Sequence, residues 1–536
     1  MYQFNLTESL IPPQQDTEIR ETTVGGLLRD VAGAHGDRPA LVEIGMDGVA
    51  DRRWTYGALL VEAECLALAL STRFRPGERI CVWSPNTPEW VLMEYACGLA
   101  GLVLVTANPA YQVKELRYVL EQSRSVALFL VESYRGNPMA EIGAEAVSGL
   151  DAIREVVDLE DPDALFRSEG TGSLPTVAAG DAAQIQYTSG TTGFPKGAVL
   201  PHRALTNNAR LFVDRCGLTD ASVLANFMPM FHTSGCGMAT LGSLQRAIPM
   251  VLFKVFDPIA VLKIIASERI SAFVAVPTML VAMLDVLRVE EHDVSSLEVI
   301  TSGGSMVPPE LVRNVTDAMG CAFQTVYGQT ETAPLITQHH LGEALYDICN
   351  TIGQPMPQTG VSIRSVDDNS VVPLGVQGEI CVSGYLLMLE YNDNPEATAA
   401  TIDADGWLHT GDLGTMDARG YLKITGRVKE MIIRGGENYF PAEIENALLE
   451  HPVVSEVAVV GLPDEKWGEI IACFVKPEPG QQVVVSDLRS HCRAHLAPQK
   501  TPAVWVQVFE FPLTGSGKIQ KFALREGFVA GDYDAL

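Results

Sequence analysis

Residues 187–197, YTSGTTGFPKG, constrain this chain more than any other stretch, because seven of the eleven are Gly, Ser or Thr. Glycine weakens both helices and strands, and hydroxyl side chains compete for backbone partners, so the run reads as a loop. Apolar residues 197–200 follow. Pro201 then opens a segment with Leu205, Ala209, Phe212, Val213 and Cys216 at helical spacing. Such a loop offers backbone N–H groups and hydroxyls to an anion, and Lys196 adds a point charge, which is the chemistry of a phosphate cradle. It is not a mononucleotide P-loop, GxxxxGK followed by Ser or Thr. Pro195 stands where that loop has glycine, and Gly197 where it has a hydroxyl.

The rest of the chain has to supply what binds beside the phosphates. At 536 residues it is too long for one hydrophobic core, so two or more domains are expected. A 47% hydrophobic and 19% charged composition is that of a folded globular protein. With 38 Lys and Arg against 66 Asp and Glu, the net charge is −28, which argues against a nucleic-acid surface. It also means that any site for an anion has to be positive locally. The ten cysteines form no CxxC pair and sit mostly in apolar context, as buried free thiols do in a reducing cytoplasm. No basic n-region and apolar h-region open the chain, and no run of about twenty apolar residues occurs. The last residues, Tyr533-Asp534-Ala535-Leu536, are not the peroxisomal Ser-Lys-Leu signal, so a cytoplasmic location is expected.

Between residues 23 and 177, helix-like segments at 59–70, 90–99 and 114–122 alternate with strand-like ones at 79–84, 102–107 and 126–131. Alternation of this kind predicts an α/β sheet with helices on its faces. Residues 361–424 change to short apolar strands with frequent turns, a β-rich subdomain. Beyond them a proline-led helix start at 441–445, strands at 457–460 and 470–475, and a helix at 486–496 suffice for an independent α+β domain.

Several motifs carry chemistry. In FMPMFHTSG, residues 227–235, an aromatic and His232 precede small residues, as suits one wall of a slot for an apolar ligand. Residues 299–305, VITSGGS, are a strand running into glycines, and open α/β sheets bind ligands at the carboxyl ends of their strands. Residues 327–332, YGQTET, combine a tyrosine that can stack on adenine, a threonine that can donate to a phosphate, and a carboxylate that can hold Mg²⁺. WLHTGD at 407–412, GRVKE at 426–430, GGEN at 435–438 and TGSGK at 514–518 follow.

In order and approximate spacing these motifs resemble those of the adenylate-forming superfamily, which holds acyl-CoA synthetases, adenylation domains and beetle luciferases. YNDNPEATA and GENYFPAEIE are similar to the bacterial fatty-acid type of acyl-CoA synthetase. The resemblance implies an α/β fold. A large N-terminal domain of stacked α/β subdomains plus a β-rich subdomain would take residues 1–426. A hinge would lie at 427–431, and a small mobile C-terminal α+β domain at 432–536. It implies ATP, Mg²⁺ and CoA as cofactors and co-substrates. Thr188, Ser189, Gly190, Thr191, Thr192, Gly193 and Lys196 would hold the β- and γ-phosphates, and Thr188 and Glu331 the metal. Gly303, Gly304, Ser305 and Tyr327 would frame adenine, with Gly328 and Ile424 also in the nucleotide site. Thr330 would meet the α-phosphate, and Asp412 and Arg427 the ribose. His232, Gly235, Cys236, Val276, Gly303, Gln329 and Thr332 would line the acyl pocket. Gly435 and Gly436 would lie along pantetheine, Lys429 at the hinge, and Lys518 at the reacting carboxylate and α-phosphate.

The expected reaction converts a hydrophobic carboxylic acid, with medium or long fatty acids favoured, into acyl-AMP and pyrophosphate, then into acyl-CoA. A carboxylic acid of pKa about 4–5 is already ionised at neutral pH, so the first step needs charge compensation rather than a general base. An aryl acid, or transfer to an amine or a carrier protein, stays open. So do a luciferase-like oxygenase, disfavoured by the missing peroxisomal signal, and a non-enzymatic nucleotide-binding module, which would not need both Lys518 and Glu331. A homodimer is allowed.

Overall fold

A computed structural model describes residues 1–188, 195–435, 437–513 and 519–536. They sort into two units, one of Met1–Gln3, Ile11–Val361 and Val382–Leu408, the other of Phe4–Leu10, Ser362–Cys381 and His409–Leu536.

Two sheets, among the described residues, build the first unit. In the seven-stranded sheet the order is Glu390–Tyr391, Lys196–Pro201, Ala182–Thr188, Val103–Ala107, Arg79–Trp83, Ser125–Leu130 and Glu155–Asp158. Its last five strands are mutually parallel, whereas Lys196–Pro201 runs antiparallel to Ala182–Thr188. The nine-stranded sheet runs Gln354–Pro355, Leu335–Gln338, Ala322–Gly328, Val299–Ser302, Ala272–Ala275, Leu224–Asn226, Met250–Phe253, Pro39–Ile44 and Ala50–Thr55. Strands buried on both faces read as continuous apolar runs, and Ile80, Cys81, Val82 and Trp83 are all fully buried.

The helices Tyr56–Arg73, Pro88–Ala100 and Val113–Ser123 coincide with the helical segments read from sequence to within three residues at each end. Pro88–Ala100 shows why local signals sufficed. Thr87 caps it by accepting from the Trp90 N–H, Pro88 opens it, and Gly101 at φ 67° ends it.

The second unit contains most of a five-stranded sheet ordered Leu10–Ile11, Thr359–Arg364, Gly378–Gly384, Leu408–Met416 and Leu422–Arg427. Near its amino-terminal edge the Ile363 N–H donates to the Ser9 carbonyl at 2.9 Å. A second sheet pairs Glu437–Tyr439, Ile432–Arg434, Gly468–Pro477 and Val454–Asp464, with Val504–Gln507 also on Gly468–Pro477. Alternation along its strands separates two cores. Val457, Val459, Ile471 and Cys473 pack with Ile444, Leu448 and Leu488, while Ala458, Val460, Ala472 and Phe474 pack with Val506 and Leu524. Nine of the ten cysteines are buried as expected; Cys65 is exposed. Among the described residues, no helix is long and apolar enough to cross a membrane.

Candidate active site

Ser189, Gly190, Thr191, Thr192, Gly193, Gly436 and Lys518 lie outside the described residues. The two ends of the phosphate-loop motif are described. Thr188 and Lys196 face each other as an antiparallel pair, with the Thr188 hydroxyl 3.4 Å from the Lys196 carbonyl. The Lys196 ammonium stands 4.6 Å from the centre of the Tyr391 ring. The Tyr391 hydroxyl in turn donates to Glu331 Oε1 at 2.5 Å. Burial first, and then the Glu331 charge, raise the Tyr391 phenol above its ordinary range, so it stays a donor. A cation, a phenol and a carboxylate thus lie in sequence across residues 196, 391 and 331.

Glu331 is 9% exposed and sits in the short turn Thr330–Thr332, just after the strand Ala322–Gly328. That turn is pinned to its strand. The Gln329 N–H donates to the Pro334 carbonyl at 2.9 Å, and the Thr332 hydroxyl to the same carbonyl at 2.6 Å. Only glycine fits at 328, since a Cβ there would come within 1.9 Å of the Pro334 oxygen. Tyr327, one residue earlier, is buried at the end of the strand.

On the neighbouring strand Val299–Ser302, a Cβ on Gly303 would approach the Val326 carbonyl to 2.5 Å. Gly304 holds φ 80°, where an added Cβ would stand 3.7 Å from a Val276 methyl, and Ser305 is exposed. These residues meet around the carboxyl ends of adjacent parallel strands, where open sheets bind ligands.

Ser234–Leu241, after His232, forms a widened π-type helix. Its Gly235 has no room for a Cβ, which would sit 2.4 Å from the Pro229 carbonyl, and Cys236 is fully buried. The Phe231 and His232 rings lie 4.4 Å apart. Behind Cys236 stands a polar chain that was not read from sequence. Gln186 donates to the Cys236 sulfur at 3.1 Å and to Gln184 at 2.8 Å, and Gln184 donates to Glu94 at 2.7 Å. Burial pushes the Glu94 carboxyl well above the usual carboxylate range.

In the second unit Asp412 is 6% exposed and accepts from Arg427 Nε at 2.9 Å, across paired strands. Ile424 is half-buried on the strand that carries Arg427, and Lys429 is exposed in the turn Val428–Glu430. Gly435 holds φ 62° with its Cα face against Trp467, whose ring a Cβ would meet at 2.9 Å. The second unit presents the expected ribose and hinge residues on two successive stretches, 412–427 and 428–435.

Within the first unit, Lys196 is paired with Thr188 and linked through Tyr391 to Glu331, and Gly304 lies near Val276. Tyr391 was missed as a site residue. It lies inside the YNDNPEATA stretch, yet nothing local marks it, because its role depends on pairing with Ala198 in a distant strand. The donors suit a hard cation. Glu331 has no ion pair among the described residues, and a carboxylate with a threonine hydroxyl is an oxygen set of the kind Mg²⁺ takes.

The sequence matches the AMP-binding enzyme family over residues 28–392 and the AMP-binding enzyme C-terminal domain over residues 443–518. It is 33% identical over 545 residues to the human mitochondrial medium-chain acyl-CoA ligase ACSF2, covering 95% of this chain and 88% of that one. Among solved structures, ATP-bound MatB from Rhodopseudomonas palustris is similar at TM-score 0.85 and 26% identity, over 95% of this chain and 99% of that one. The o-succinylbenzoate CoA synthetase of Bacillus subtilis, in complex with its acyl-adenylate intermediate, is similar at TM-score 0.82 and 27% identity, over 94% and 98%. The chain belongs to the AMP-binding enzyme family, within the adenylate-forming superfamily of acyl-CoA synthetases and ligases.

Proposed function

We propose that this AMP-forming acid–thiol ligase activates a hydrophobic carboxylic acid, with medium or long fatty acids favoured, and passes the acyl group to CoA. The observation that carries the reading is the Lys196–Tyr391–Glu331 series beside the paired ends of the phosphate-loop motif. It holds a positive group and a carboxylate on either side of one phenol, which supports the reading of a polyphosphate and its cation lying alongside the series. Thr188 and Glu331 would hold Mg²⁺, which when bound would neutralise phosphate charge. Tyr391 would orient Glu331 through its hydroxyl.

In the first step the carboxylate of the acid attacks the α-phosphorus of ATP. The bond to the β-phosphate bridging oxygen breaks, and pyrophosphate leaves. Thr330 would donate to the α-phosphate, and Lys518 would offset the charge where carboxylate meets phosphate. Tyr327, Gly303, Gly304 and Ser305 would hold adenine, with Gly328 keeping Tyr327 tight against its turn, and Asp412 and Arg427 would hold the ribose. In the second step the CoA sulfur attacks the acyl carbon, and AMP departs as a good leaving group. Lys518 serves only the first step, so residues 432–536 are proposed to move about a hinge at 427–431, centred on Lys429, admitting pantetheine past Gly435 and Gly436.

The small and apolar residues Gly235, Cys236, Gly237 and Met238, with Val276, support an apolar acyl pocket, and the name of the human relative supports medium chain length. A pyrophosphate-release screen tests the substrate class. Octanoate should outrun acetate, with each buried methylene worth about 0.8 kcal/mol until the pocket ends. Acetate or an amino acid as the best substrate would overturn the reading. The o-succinylbenzoate relative favours an aryl acid as the second reading, and a benzoate series in the same screen separates the two. Lys518→Ala should lower adenylation by roughly two to three orders of magnitude while leaving acyl-CoA formation from prepared acyl-adenylate.

A further inference from the structure

Asp412 ends a short segment held from the side by one carboxylate. Glu379, on the strand Gly378–Gly384, uses both of its oxygens there: Oε2 lies 2.8 Å from His409 Nδ1, and Oε1 accepts the Gly411 N–H at 2.9 Å. Between those two contacts Thr410 donates its hydroxyl to the Ile380 carbonyl at 2.7 Å and accepts the Asp412 N–H at 3.1 Å. Cys381, fully buried on the strand of Glu379, packs its sulfur 3.5 Å from the same His409 nitrogen. Each of residues 409, 410, 411 and 412 is therefore fixed by a side-chain hydrogen bond as well as by its strand. Ordinary strand pairing needs none of these side-chain contacts.

The backbone explains why the extra contacts are there. Gly411 turns through φ 74°, with nothing within 4 Å of where a Cβ would stand, so neighbouring atoms do not wedge it in place. Glycine at such a position is free to relax into other conformations. Asp412 follows directly, 6% exposed, with one oxygen 2.9 Å from Arg427 Nε. A carboxylate that receives two vicinal hydroxyls has to be aimed within a few tenths of an ångström, and a loose glycine one residue earlier would blur that aim.

We propose that Glu379 and His409 are positioning residues for nucleotide recognition. They lock the Gly411 turn so that Asp412 meets both ribose hydroxyls of ATP in register. The inference rests on the reading of Asp412 as the ribose acceptor, and the experiment keeps the two apart.

Adenylation is measured with ATP, 2′-deoxy-ATP and 3′-deoxy-ATP on wild type, Asp412→Ala, Glu379→Ala, Glu379→Gln and His409→Asn. Wild type should prefer ATP over each deoxy analogue by roughly tenfold to a hundredfold, the loss expected when a hydrogen bond to a charged group is removed. Asp412→Ala should abolish that preference; if it persists there, the ribose reading fails and the clamp has nothing to aim. If Asp412→Ala abolishes it, the clamp is judged on the remaining variants. Glu379→Ala should raise the KM for ATP by about tenfold and cut the analogue ratio towards one, with kcat changed far less. Glu379→Gln, which keeps an acceptor for the Gly411 N–H, should recover most of the ratio. His409→Asn, which leaves the Gly411 contact, carries the same test should Glu379→Ala fail to fold, and should show an intermediate ratio. A folded Glu379→Ala or His409→Asn variant with lower thermal stability but the wild-type analogue ratio would make the contacts merely structural and overturn the proposal.

Discussion

In the larger unit, Arg215 lies buried at the end of the helix His202–Arg215 and gives its guanidinium to the carbonyls of Gln338, Gln354 and Pro355, at 2.9–3.0 Å. In the smaller unit, Lys521 stands between two carboxylates, 2.6 Å from Glu430 and 2.9 Å from Glu445. Burial lowers the Arg215 pKa, and nothing nearby fully restores it. Burial also pulls on Lys521, but Glu445 and Glu430 outweigh it and leave its pKa raised. One cation is held chiefly by backbone carbonyls, with the Tyr2 ring beside it, the other by two carboxylates. The larger unit also buries histidines, with Glu343 3.6 Å from His339. Burial depresses His202 and His339 to about 4, and Nδ1 of His202 accepts the Val24 N–H at 3.2 Å, so the ring is held neutral. How a buried charge is compensated decides which change of solution or sequence will expose it.

Removing Arg215 should have the largest effect. Arg215→Met deletes the donors of three buried carbonyls at once, and equilibrium denaturation should report a loss of about 4 kcal/mol. A loss under about 1 kcal/mol would mean that the carbonyls find other partners and that dipolar compensation is not needed.

Acid should come next. His202 and His339 hold fewer protons folded than unfolded between their ordinary pKa of about 6.5 and the folded value of about 4, so stability falls as the pH drops through that window. Up to about 3 kcal/mol each is at stake below pH 4. Urea midpoints between pH 7 and pH 4 measure the slope, and His202→Gln should flatten it. An unchanged slope in that variant would remove His202 from the comparison.

A smaller cost is expected at Lys521. About a fifth of its side chain is still exposed, so Lys521→Met should cost about 2 kcal/mol, less than a fully buried pair. Adding Glu445→Gln should return part of it, because the methionine variant's penalty is largely an unpaired charge. If the double variant is no better than the single one, packing rather than pairing explains the loss.

The exposed pair Arg29–Glu64, at 2.7 Å, supplies the lower bound. A double-mutant cycle there should give less than about 0.5 kcal/mol and fade further in salt, which would tie the larger numbers to burial rather than to pairing as such.

Sequence carried a good deal of this. The helix Pro88–Ala100 and the strands around it were legible because Thr87, Pro88 and Gly101 punctuate an apolar run. The glycine motif at 328–331 was legible because few turns need such a combination, although the reason for Gly328 itself, the Pro334 oxygen, emerges only in three dimensions. Residues 361–424 read as one β-rich stretch. The fold divides them between the two units and places a helix, Pro395–Thr401, among them, capped by Asn394. Tyr391 and the Glu379–His409 pair left no local trace, because each depends on strands that meet only after the chain returns from far away. Glu94 was hidden for a different cause: on a helix, one acid among apolar residues looks like a solvent-facing position, and only the packing shows it 2% exposed.

The bond from Ile363 to Ser9 has a consequence for how the protein is made. Ser9 leaves the ribosome long before Ile363, and at synthesis rates of about 5–20 residues per second the gap is roughly twenty seconds to a minute. Throughout that interval Leu10 and Ile11, the latter fully buried in the finished protein, have no strand to join. Residues 9–11 are thus among the last of this chain to settle. A nascent chain stalled before residue 363 would expose an apolar segment at Leu10 and Ile11 that other chains or chaperones could capture.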